Sequence, residues 1–189
     1  LAMKIRHKLI LNNGAILGVM LLVSGGMYQG VVSLSESATW VSHTQDVITK
    51  ARELTVFMVD METGQRGFLL TGDESFLQPY RDGREGFDKT LDEARALVRD
   101  NPRQLIRLEQ IERLQTEWVD AAAKPEIELR HRVDQGEVNF TVLANRLRGV
   151  TASGDPIPGR VKTGKQRMDA IRAALVQVVA TERALMGVR

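Results

Sequence analysis

Glu62 and Arg66 stand four residues apart in the stretch "DMETGQRGFLLTGD" (60–73). On a helix that spacing puts a carboxylate and a guanidinium on one face, close enough to pair. Gln65 lies between them. Further along, Arg84 and Glu182 occupy positions where the surrounding periodicity asks for apolar side chains. Two chemistries are open to this set. The charges can find one another inside a helical core, as a polar layer that fixes helix register. Alternatively, part of the set lines a small polar pocket in which Arg66 or Arg84 holds an anionic ligand. Catalysis fits less well. Glu62 and Glu182 could be drawn as a carboxylate pair, but no nucleophile elbow, phosphate loop or metal constellation accompanies them. The chain has no Cys, and His7, His43 and His131 lie far apart without ligand spacing, so neither a metal nor a cofactor is expected.

The elements that must position these groups are helices. Aromatic residues make up 5% of the 189, Pro is scarce, and no run alternates with a period of two. After Ser35 a first helix is expected to reach Thr71, its seam running Val47, Ala51, Leu54, Met58, Met61, Gln65, Phe68 in steps of four and three. Gly72 suits the left-handed position that ends a helix, and Thr71 with Glu74 has the spacing of a capping box. A second helix reaches about Asp100 with Leu77, Tyr80, Arg84, Phe87, Leu91, Ala94 and Val98 inward. Asn101 and Pro102 open a third, carrying Leu108, Ile111, Leu114 and Trp118, which Pro125 should kink before Leu129 and Val133. The Gly- and Pro-containing stretch "RGVTASGDPIPGRVKTGK" reads as a loop. A last helix presents Met168, Ile171, Leu175, Val178, Glu182 and Leu185. The expected fold is all-α, an antiparallel four-helix bundle. The interior glycines Gly64 and Gly67 each cost a helix roughly 1 kcal/mol relative to Ala. They are explained if a neighbouring backbone or side chain approaches closely there.

Ahead of the bundle, residues 9–34 lie in a run without charge, from Leu9 to Ser35. About 27 residues at 1.5 Å each exceed a hydrocarbon core of roughly 30 Å, so a transmembrane helix is expected over 9–34. Lys4, Arg6 and Lys8 precede it, and no Lys or Arg follows until Lys50. That asymmetry places residues 1–8 in the cytoplasm and 35–189 outside the inner membrane, in the periplasm. A cleaved signal peptide is the alternative, disfavoured by the length of the run. The pI near 9.1 comes from the three cations before the run, since without them the chain is one charge short of neutral. Nucleic acid is therefore not an expected partner. Asn139-Phe140-Thr141 matches a glycosylation sequon, a pattern common by chance.

"VDMETGQRGFLLTGDESFLQPY" (59–80) resembles the hallmark of the third class of CHASE sensory domains, extracytoplasmic helical modules of bacterial receptors. "TWVSHTQDVI" (39–48), "EWVDAAAKPEIELRHRV" (117–133), "GKQRMDAIR" (164–172) and "ERALMGVR" (182–189) are also similar to that family, in the expected order. Within the hallmark stand Gly64, Gly67, Phe68, Gly72, Asp73 and Tyr80; Trp118 and Pro125 belong to the third segment. The resemblance implies a four-helix bundle between two membrane helices, usually in a homodimer. It also implies a downstream output such as a chemotaxis signalling domain, a histidine kinase or a cyclase. The second membrane helix and the output would then follow Arg189. Of these, "TWVSHTQDVI" and "KPEIELRHRV" resemble chemotaxis receptors most closely. The family supplies no generally agreed ligand, so a small molecule is an unidentified partner. A membrane-tethered helical scaffold that senses nothing is the reading from another class.

Overall fold

Helix α1 runs from Ala2 to Thr71 in the computed structural model of the protein, so the stretch expected to be an anchor and the first bundle helix form one element. The structure describes the backbone over residues 2–157 and 164–188, and side chains over 14, 17–29, 40–157 and 164–184. The chain divides into two units, 1–43 and 44–188, and α1 contributes to both. In the first, the large apolar side chains from Leu17 to Tyr28 are exposed. Among the described residues no helix is long and apolar enough to cross a membrane. The separate spanning helix expected over 9–34 is thus not found, and the ends of that stretch lie outside the described side chains.

The second unit is helical. A 3-10 turn at Glu74–Phe76 leads into α2 (Leu77–Leu97), followed by α3 (Pro102–Trp118), a π turn at Val119–Ala123, and α4 (Lys124–Asp134). Then come α5 (Phe140–Arg148) and α6 (Gly164–Val188). No strand forms among the described residues, and Val150 and Pro156 make an isolated bridge after α5.

Local chemistry explains the boundaries. Gly72 takes φ +75°, which stops α1 where a left-handed residue is needed. The expected capping box between Thr71 and Glu74 does not form. The Thr71 hydroxyl donates to the Gly67 carbonyl at 2.8 Å. Asp73 caps instead, accepting from the Ser75 amide at 2.9 Å, and that bond holds its carboxyl below the usual range. Asn101 accepts from the Gln104 amide at 3.3 Å and Pro102 opens α3, as expected. The interruption near Pro125 is a π turn just upstream of it. Pro125 has no N–H to give the Ala121 carbonyl, and Arg146 from α5 donates to that carbonyl at 3.4 Å. Helix α5 is the element the periodicity missed. Asn139 caps it by accepting from the Thr141 amide at 2.9 Å, which gives the sequon Asn a structural task.

The core follows the seams. Val47, Ala51, Leu54, Met58, Met61 and Phe68 of α1 are buried, with Phe87 and Leu91 of α2, Leu108 and Ile111 of α3, and Met168, Ile171, Leu175 and Val178 of α6. Leu185 falls outside the described side chains. The glycines bring α1 and α2 together. A Cβ on Gly64 would stand 2.7 Å from the Phe76 carbonyl oxygen and 2.9 Å from the Tyr80 nitrogen, and one on Gly67 would overlap the Phe76 ring. From the other side, a Cβ on Gly83 would meet the Phe57 carbonyl oxygen at 2.9 Å. Each helix offers bare backbone to the other, which offsets the helix-propensity cost.

Candidate functional site

Glu62 is buried, and both of its oxygens are engaged. Oε1 accepts from Arg66 Nη2 at 2.7 Å and Oε2 from Arg172 Nη2 at 2.6 Å. One carboxylate therefore joins α1 to α6. The acid lies inside and its cations at the rim, with the Arg66 side chain 59% exposed and Arg172 41%. This distribution avoids burying a guanidinium while neutralising the buried acid. One residue before Arg66, Gln65 Nε2 donates to Glu126 Oε2 at 2.8 Å, both groups buried, and ties α1 to α4. Together with Trp118, Leu69 and Leu147 these groups line a cleft of about 470 Å³.

A further buried charge packs against the end of α1. Arg130 of α4 is buried and pairs with Asp134 at 2.7 Å, and a Cβ on Gly72 would lie 2.5 Å from its Nη2. Gly72 thus serves twice, by its positive φ and by leaving room for a guanidinium. Phe68 packs beside it, its ring 4.8 Å from that of His131.

The expected set divides. Glu62, Gln65 and Arg66 do come together. Arg84 does not join them, because Gly83 takes the inward position against Met61 and Phe57 and turns Arg84 outward, where it is exposed. Glu182 is buried on α6, yet its partner is neither Arg66 nor Glu62. It accepts from Gln104 Nε2 of α3 at 2.5 Å, and Gln104 Oε1 accepts from Arg107 at 3.3 Å. The carboxylate pair of Glu62 with Glu182 is therefore not formed. Two polar layers replace the single one expected.

Arg172, Glu126, Gln104 and Arg130 are the functional neighbours that sequence reasoning missed. Gln104 was within reach, since 104, 108, 111, 115 and 118 continue one seam. Arg172 follows the seam residue Ile171, and only the rotation of α6 decides whether it faces Glu62. With Arg66 already paired to Glu62, the cleft offers no uncommitted guanidinium for an anion among the described residues that line it. Its groups hold three helices in one register.

The layer has an asymmetric response to substitution. Glu62→Ala is expected to lower stability by about 2 kcal/mol, since it removes two charge-assisted hydrogen bonds from a buried acceptor. Arg66→Ala should cost less than about 1 kcal/mol, because the exposed guanidinium returns to water and Arg172 still serves the acid. Urea unfolding of the two variants, compared with the parent, checks the difference.

Residues 37–189 match the family described as the CHASE3 domain. No curated protein matches the chain at a significant level. Among solved structures, the sensor domain of histidine kinase HK9 from Rhodopseudomonas palustris has the same fold, with a TM-score of 0.58 at 23% identity. That match covers 77% of this chain and 99% of the kinase sensor domain.

Proposed function

This chain belongs to the CHASE3 domain family of sensory domains, and we propose that it is the input module of a bacterial transmembrane receptor. A stimulus biases two packings of a four-helix bundle formed by α1, α2, α3 with α4, and α6. The last helix then passes the shift to an output domain. The observation that carries this reading is the buried Glu62 carboxylate held between Arg66 of α1 and Arg172 of α6. It makes the packing of the first helix against the last depend on a charged contact. Such contacts have discrete arrangements, so their energy can be converted into a population shift.

A chemotaxis transducer is one output that fits. A histidine kinase input fits about equally, and a kinase sensor domain shares the fold. In either setting, residues 9–34 serve as the anchor and the bundle lies outside the inner membrane as a homodimer. Supporting the anchor, Leu17, Val19, Met20, Leu21, Leu22 and Val23 are all exposed on one helix, a surface that lipid solvates better than water.

The test is a chimera in which residues 1–189 precede the second membrane helix and kinase core of a reporter histidine kinase. Glu62→Leu, Arg66→Leu and Glu182→Leu are each expected to change basal autophosphorylation, by about fivefold for each kcal/mol by which they shift the two packings. If all three variants phosphorylate as the parent does, the polar layers are not part of a switch. The scaffold reading would then be preferred.

A further inference from the structure

A second concavity lies between α2 and α4, away from the polar layers. It is a groove of about 280 Å³ whose walls include Leu77, Tyr80 and Arg84 of α2 and Ile127 and Glu128 of α4. Tyr80 is 8% exposed, and its hydroxyl is buried without a hydrogen-bond partner. A buried donor left unpaired costs about 1–3 kcal/mol, so such a group is a reason to look for a missing acceptor.

The cations around it are unevenly committed. Arg81 pairs with Glu74 at 3.2 Å and Lys124 with Asp120 at 2.8 Å. Among the described residues Arg84 makes no ion pair, and neither does Glu128 on the facing wall. The residues that line the groove therefore include one buried orphan O–H and, one helical turn further along α2, one exposed and uncommitted guanidinium. Burial pushes the Tyr80 phenol above its usual range, with Arg84 opposing the shift and the Asp120 carboxylate adding to it. The hydroxyl remains a donor at neutral pH.

We propose that this groove binds a small monocarboxylate with a short apolar body. The carboxylate takes the Tyr80 hydroxyl and the Arg84 guanidinium, and the apolar part lies on Leu77 and Ile127. Glu128 repels a second negative charge, which disfavours dicarboxylates. The assignment does not rest on the signalling reading, since binding can be measured without any output domain.

The test is a titration of the full chain in detergent micelles with isovalerate, followed by amide chemical shifts. Saturable binding is expected, weakened about tenfold or more in Tyr80→Phe and in Arg84→Gln. Tyr80→Phe should unfold at the same temperature as the parent or higher, because it removes only an unpaired hydroxyl. Leucine shares the carboxylate and adds an ammonium; tighter leucine binding that is lost in Glu128→Gln supports the site and gives Glu128 the ammonium. Absence of saturation with isovalerate, binding retained by both variants, or succinate binding as tightly as isovalerate would each overturn the proposal.

Discussion

Gly64→Ala is expected to destabilise the protein by about 2 kcal/mol, although the same change in an open helix stabilises by roughly 1 kcal/mol. The new methyl would stand 2.7 Å from the Phe76 carbonyl oxygen and 2.9 Å from the Tyr80 nitrogen. Both are backbone atoms, so no rotamer change relieves the contact. The start of α2 has to move away from α1, and the fit of Leu77 and Tyr80 into the core moves with it. Thr63→Ala is the control, one residue earlier on the same helix and exposed. It should change stability by less than about 0.5 kcal/mol. Urea midpoints that coincide for the two variants would show that the backbones do not meet at Gly64.

Trp118→Ala should have the larger effect, about 4 kcal/mol. The indole is 1% exposed, its ring lies 6.4 Å from that of Tyr80, and it ends α3 where the π turn begins. It also lines the cleft beside Gln65 and Glu126. Removing it opens a void that helices tied by the Glu62 and Gln65 contacts cannot collapse into. A fall in the thermal midpoint of roughly 10 °C or more follows from a loss of that size. A fall of only a degree or two would mean that the bundle repacks freely around the cleft, contrary to a register held by polar contacts.

The seams were legible in the sequence because apolar spacing depends on the helical repeat alone. Leu54, Met58, Met61, Phe87, Ile111 and Ile171 could be placed inside without knowing which helix touches which. Gly72 and Asn101 were legible for a similar reason, since each acts on its own backbone. Arg84 was misplaced because 83 and 84 both satisfy a three-four step. The choice fell to Gly83 through a close approach to α1 that no spacing rule contains. Glu182 was placed correctly in the interior but given the wrong partner, since partner choice depends on the axial level at which α3 and α6 meet. The role of Arg172 lay beyond reach for the same reason. Helix α5 was lost because its nine residues are too few for periodicity to stand out. Its start was nonetheless marked by Asn139, read only as a sequon.

On the proposed function, the Glu62 carboxylate holds α1 and α6 in one of two packings. The chain has no cysteine, so Thr63→Cys and Gln177→Cys, both at exposed positions on the two helices, can carry a pair of spin labels without background. The interlabel distance distribution of the full chain would be compared with and without Glu62→Leu. One dominant distance is expected in the parent, and in the variant a shift or second population displaced by about 1–2 Å or more, the scale of helix movements in such switches. Distributions that superpose in the folded parent and the folded variant would contradict it.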